Sequence, residues 1–195
     1  MSLTRQDLKA FLSQYIEAND DLVEKILPYT KKKSVSRGNF LLRQGERCKE
    51  FVLITKGCTR LFYIANEIEY TVWFGFPDNV GSEIQSFISG EPSKFFVEAI
   101  EDLEYLSMHQ SSYHKLMELV PAWHLFVRKL WEDTVVHIID RIMAFQSQSA
   151  TERYLDLIRD PDYLQMIPQK YLASYLGVTR TSLSRLRKKI ATERR

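Results

Sequence analysis

Near the start of the chain, Leu8, Phe11, Leu12, Tyr15 and Ile16 recur at three- and four-residue spacing, which predicts an amphipathic helix. A second short helix is expected from Asp20 to Leu27, stopped by Pro28. From Gly38 to Met108 the apolar period shortens to that of a strand, and six of the seven glycines fall here. Ile68, Tyr70, Val72 and Phe74 are set to one side and Glu69, Thr71 and Trp73 to the other. Strands are expected over Phe40–Arg43, Glu50–Thr55, Cys58–Ala65, Ile68–Phe74, Lys94–Ile100 and Leu103–Met108. Turns at Gln44-Gly45, Lys56-Gly57 and Asn66-Glu67 break them, so the segment reads as an antiparallel roll or barrel.

Beyond Ser111 no glycine occurs until Gly177. Pro121 suits the first turn of a helix that runs to about Phe145. Within it Trp131, Val135, Ile138, Ile142 and Phe145 form a heptad seam, flanked by Val127, Leu130, Val136, Ile139 and Met143. A helix that is apolar on more than one face must be buried on more than one face. The roll can cover one; a second copy in a two-fold dimer is the simplest cover for the other. The alternative is a central helix of a monomer. Gln146–Ser149 is polar and reads as a hinge, and Ala150–Arg159 as a further helix with Tyr154, Leu155 and Ile158 inward, ending before Pro161.

The last segment reads IPQKYLASYLGVTRTSLSRLRKKI. Pro168 opens a helix with Tyr171, Leu172, Tyr175 and Leu176 on its apolar face and Ala173 where another helix can approach. Gly177 supplies a left-handed residue that reverses the chain. Val178 plugs the turn and Thr179 is placed to cap a second helix. There Leu183, Leu186 and Ile190 point inward, leaving Arg180, Thr181, Ser184, Arg185 and Lys188 outside. This is the helix-turn-helix arrangement that places a helix in the major groove of double-stranded DNA. Arginine can bond both acceptors of guanine, and hydroxyls can donate or accept. Gln169, Lys170 and Thr179 join those five as candidate DNA contacts.

Charge strengthens that reading. The 195 residues carry a formal net charge of +2, which alone argues for nothing. From Gln169 to Arg195, however, eight basic residues face only Glu193, a net of +7, leaving −5 on the other 168 residues. A basic end on an acidic body suits a polyanion at one end. A solvated helical hairpin is the bland alternative, and the charge asymmetry counts against it.

The order of parts, and above all the stretch LASYLGVTRTSLSR (Leu172–Arg185), resembles the Crp/Fnr family of bacterial transcription regulators over nearly the whole chain. The resemblance implies an α+β chain: an N-terminal antiparallel β-roll of the cyclic-nucleotide-binding type, a long dimerisation helix and a C-terminal helix-turn-helix domain of winged-helix kind. Their expected spans are 1–120, 121–146 and 147–195. It also implies a cytoplasmic homodimer whose two recognition helices read successive half-sites, RNA polymerase as a partner, and a possible small effector in the roll. Arg180, Ser184 and Arg185 match family base-contacting positions, whereas Thr181 stands where many members have Glu. In the effector stretch VGSEIQSFISGEPSKFFVEA, Glu83 is available for a ribose hydroxyl. The family's Arg-Ser pair, however, is replaced by Ser93-Lys94, so Lys94 offers only a point charge. The polar pair on the long helix becomes Ile138-Ile139, and both departures count against cyclic AMP. After the recognition helix only Ala191–Arg195 remain where the family often has a wing.

Cys48 and Cys58 are too few for an iron–sulfur cluster and fit reduced thiols in a cytosolic protein. A cupin-like metal enzyme would draw His ligands from the strands, but His109, His114, His124 and His137 lie at or beyond their end, so neither metal nor enzyme activity is expected. Arg5, Asp7 and Lys9 interrupt any secretory leader, and no apolar run is long enough to span a membrane. A protein-interaction adaptor that keeps the helix-turn-helix as a packing surface remains, with the cationic outer face against it.

Overall fold

The computed structural model describes residues 3–159 and 165–193, so the expected stop at Pro161 and the two terminal arginines lie outside the described residues. Helix α1 (Leu3–Ser13) and α2 (Asp20–Ile26) open the chain, and Leu8, Phe11 and Leu12 are buried. The Asn19 side chain caps α2 by accepting from the Leu22 amide at 2.9 Å. Pro28 does not stop the helical run outright; it opens a short 3-10 turn, Leu27–Tyr29.

Seven strands follow: β1 (Lys31–Val35), β2 (Phe40–Leu42), β3 (Glu50–Lys56), β4 (Thr59–Ala65), β5 (Ile68–Gly75), β6 (Phe96–Ala99) and β7 (Leu103–His109). They form two antiparallel sheets, ordered β1-β7-β3 and β2-β6-β4-β5. The six expected strands are present with ends shifted by one or two residues. Strand β1 is not among them, because Lys31-Lys32-Lys33 shows no apolar alternation. It is an edge strand held by charge as well as backbone, with Lys32 on Glu104 at 2.8 Å and Lys33 on Glu50.

The even alternation expected along β5 does not hold. Leu61 pairs with Trp73 and Phe62 with Thr71, which leaves Val72 as the extra residue of a bulge. Across that bulge the faces exchange: Ile68 and Tyr70 are exposed, yet Phe74 is buried.

Two helices that the sequence pattern did not indicate complete the roll. Helix α3 (Ile84–Ser89) lies in the proposed effector stretch, and α4 (Gln110–Leu119) buries only Tyr113 and Leu116. Helix α5 (Pro121–Ser147) has two different halves. Trp123, Phe126, Val127 and Leu130 are buried in the main core with Phe51, Phe87 and Tyr113. Farther along, Val135, Val136, Ile138, Ile139, Ile142 and Met143 are all exposed. The expected four-residue hinge shrinks, since Gln146 and Ser147 are still helical and Ser149 already caps α6 (Ala150–Leu157) in a capping box with Glu152. After residues 165–168 come α7 (Gln169–Tyr175) and α8 (Arg180–Glu193).

A second core joins the roll to the C-terminal helices. Cys58, Phe74, Phe76 and Ile100 of the roll are buried with Tyr154, Ile167, Leu172, Ala173, Leu176, Leu183 and Ile190.

Candidate nucleic-acid interface

The α7–α8 unit is built by its turn. Gly177 sits at φ +71°, the left-handed conformation the reversal needs. The Val178 amide donates to the Ala173 carbonyl at 3.0 Å, tying the turn back to α7. Thr179 Oγ1 then accepts from the Ser182 amide at 3.1 Å and caps α8, as its type and position suggest. Leu183 and Ile190 are buried and Leu186 is half-buried, which fixes the rotation of α8. Arg180, Thr181, Ser184, Arg185 and Lys188 consequently all stand exposed along one side. Gln169 and Lys170 are exposed at the start of α7, but Lys170 Nζ lies 3.7 Å from Glu69 of the roll.

The opposite side of this head rests on the roll, through contacts that no local pattern of residues signals. Arg60 of β4 is only 1% exposed. Its guanidinium lies between two rings, 3.8 Å from the Phe62 centroid and 3.7 Å from that of Tyr171. Arg60 Nη2 reaches Glu69 at 2.9 Å and Glu98 at 3.0 Å, while Nε and Nη1 are buried without a hydrogen-bond partner among the described residues. The Tyr171 hydroxyl donates to Glu98 at 3.4 Å. Burial first, and then the Glu98 carboxylate, push the Tyr171 phenol above its ordinary pKa against the opposing pull of Arg60, so it stays a donor at neutral pH.

Ser174 meets the open edge of β5. Its Oγ accepts from the Thr71 amide and donates to the Glu69 carbonyl, both at 2.9 Å, standing in for a neighbouring strand. Arg141 of α5 lies 3.7 Å from the Tyr175 ring and donates to the Val72 carbonyl. Arg153 of α6 lies 4.5 Å from the Phe145 ring and donates to the Leu176 carbonyl at 3.1 Å.

The heptad seam is split among three surroundings. Trp131 packs inward, donating from Nε1 to the Tyr113 hydroxyl at 3.4 Å. Phe145 turns toward the head, where a Cβ on Gly177 would lie 3.4 Å from its ring. Val135, Ile138 and Ile142 between them face outward.

A cavity of about 460 Å³ lies in the roll, lined by Leu41, Leu42, Val52, Val97 and Tyr105, with Glu46, Arg47, Lys49, Glu50 and Glu83 adding charge. Glu83 is 3% exposed, and its carboxylate accepts from the Gln85 and Ser86 amides at 2.8 and 3.1 Å, capping α3. Ser93 and Lys94 do not line the cavity: the Ser93 hydroxyl is bonded to the backbone of Phe95, and Lys94 is exposed. Arg47 and Lys49 do line it, and their only signal in the sequence is the charged run Glu46-Arg47-Cys48-Lys49-Glu50. Cys48 also lines the cavity; burial pushes its thiol pKa up, which keeps it protonated at neutral pH.

Solved structures share this arrangement. FixK2 from Bradyrhizobium japonicum matches with a TM-score of 0.71 at 19% identity, over 84% of this chain and 85% of that one. A putative transcriptional regulator of the Crp/Fnr family from Eubacterium rectale matches at 0.70 and 15% identity, over 92% and 88%. The catabolite activator protein of Thermus thermophilus matches at 0.59 and 21% identity, over 94% and 87%. No family model matches the chain, and no curated protein matches it. The fold is that of the Crp/Fnr-type regulators: an α+β chain with a cyclic-nucleotide-binding-like roll, a long helix and a helix-turn-helix. No helix among the described residues is long and apolar enough to cross a membrane.

Proposed function

We propose that this chain is a sequence-specific regulator of transcription that binds double-stranded DNA as a homodimer. The observation that carries the reading is the outer side of α8, where Arg180, Thr181, Ser184, Arg185 and Lys188 stand together in solvent on a helix oriented by buried Leu183 and Ile190. Arg180, Ser184 and Arg185 read base edges, Thr181 sets a base preference of its own, and Lys188, Gln169, Lys170 and the N-terminal end of α8 at Thr179 meet the phosphates. Two of the structural neighbours named above, the catabolite activator protein and the putative Crp/Fnr-family transcriptional regulator, carry regulatory names, which supports a non-enzymatic role.

The dimer forms along the exposed stripe of Val135, Ile138 and Ile142, with Trp131 and Phe145 at its ends. Residues 1–120 sense, 121–146 dimerise and 147–195 read DNA. A small effector occupies the roll and acts by favouring the arrangement in which the two recognition helices lie about one DNA turn apart, ~34 Å. Cyclic AMP is disfavoured as that effector, since Glu83 is already committed to α3 and Lys94 lies away from the cavity. Contact with RNA polymerase and a cytoplasmic location complete the reading.

Binding-site selection from random duplexes, at stated salt and with and without cyclic nucleotides, tests it. The expected result is a near-palindrome with half-sites one turn apart and an affinity that falls steeply with salt. An affinity flat between low and moderate salt would overturn it and favour an adaptor instead.

A further inference from the structure

Sheet β2-β6-β4-β5 has the cavity on one side and the reading head on the other. Strand β6 joins them in two consecutive residues. Val97 is buried and lines the cavity; Glu98, on the opposite face, holds both Arg60 and the Tyr171 hydroxyl. Strand β4 repeats the arrangement one step across, because Leu61 pairs with Val97 and Arg60 with Glu98. We propose that the cavity is coupled to the head directly through this sheet: Val97 responds to what fills the cavity, and Glu98, Arg60 and Tyr171 are positioning residues that set the seat of α7 and so the direction of α8.

The proposal rests on the DNA-binding reading only for what α8 is aimed at; the coupling itself concerns one chain. Three features make the seat suited to a switch. Its contacts are polar and stacked as well as apolar, so small displacements matter to them. Two buried nitrogens of Arg60, Nε and Nη1, lack hydrogen-bond partners among the described residues, which lowers the stability of the docked state relative to a fully bonded one. The recognition side stays exposed while the head is docked, so the seat aims α8 without covering it. Both sites bias the same two-position element, the seated or unseated head, as energetic coupling requires.

The Thr71 amide reports docking without any DNA, because it donates across the interface to Ser174. Hydrogen exchange at this amide, followed by NMR in the full chain and referenced to amides of β3 and β7, is the readout. Tyr171→Phe removes the hydroxyl's bond to Glu98, and Glu98→Gln removes the charge that Arg60 and that hydroxyl share, both at nearly constant shape; about tenfold faster Thr71 exchange is expected in each with β3 and β7 unchanged. Val97→Ala and Val52→Ala make the same deletion on the two walls of the cavity. Only the first lies on β6, next to Glu98, so it should accelerate Thr71 several-fold more than the second. Equal effects of the two valines, or Thr71 exchange indifferent to Tyr171→Phe and Glu98→Gln, would overturn the proposal. If exchange behaves as expected but the parent chain binds no duplex, the coupling stands and the DNA reading falls. If the parent binds duplex while exchange is indifferent, the DNA reading stands and the coupling falls.

Discussion

Arg180 and Arg185 stand in solvent on one side of the head, while Arg60, Arg141 and Arg153 are stacked against rings on the other. The side chain is the same, but its surroundings decide its work. An exposed guanidinium keeps its fork free for an external partner. A buried one must be matched within the protein, and Arg60 takes two carboxylates and two rings. A basic residue is therefore a guide to DNA binding only after its burial is known.

The buried arginine should be the more sensitive to substitution. Arg60→Ala leaves Glu98 facing an unfilled hole beside Tyr171, and loss of one partner of a buried pair is expected to cost about 3 kcal/mol, the low end because Glu69 is partly exposed. Denaturant unfolding measures it; a loss under about 0.5 kcal/mol, the usual range of a surface change, would mean that Arg60 is no anchor. Arg185→Ala should do the reverse. Stability should stay within about 0.5 kcal/mol of the parent, while operator affinity falls by about 1–3 kcal/mol and specificity relaxes at one base pair. If Arg185→Ala instead weakened all sequences alike, the recognition side would be rotated from the one assigned. Ser174→Ala comes next: it strips the Thr71 amide and Glu69 carbonyl of their partner at the edge of β5, and a loss of about 1 kcal/mol is expected, again by unfolding.

The same contrast explains what could be read from the sequence. Helices α5, α7 and α8 declare themselves through apolar spacing that is local, and Gly177 and Thr179 mark the turn by conformation and capping chemistry. The +7 segment is contiguous, so its charge is visible as a run. Arg60 is not legible, because in β4 it reads as one polar residue among alternating neighbours and the ring that buries it comes from α7, far along the chain. Strand β1 is hidden for a related reason: three lysines look like a solvated run until Glu50 and Glu104 are placed beside them. Helix α3 is short and rests on the Glu83 cap, so a carboxylate that suggests ligand binding in the sequence turns out to hold backbone amides. The bulge at Val72 follows from pairing with β4, which alternation along β5 alone cannot reveal.

The smallest expected effect concerns Lys170, which belongs to both sides at once. It is exposed at the start of α7, where a phosphate could be reached, yet its ammonium already lies 3.7 Å from Glu69 and 5.5 Å from the Tyr171 ring. Lys188 has no salt bridge to a described carboxylate within 4.0 Å. Neutralising a phosphate releases counterions, and each such contact contributes about one unit to the slope of log affinity against log salt. Lys188→Ala should therefore lower that slope by about one, with weakening shared by all sequences. Lys170→Ala should lower it by less, since part of its charge is spent on Glu69, and stability should change by under about 1 kcal/mol, as for other exposed pairs. Salt titrations of the two variants on one duplex measure the difference. A larger slope change for Lys170 than for Lys188 would mean that the lysine leaves Glu69 when DNA binds, and that the boundary between the reading side and the docked side moves with it.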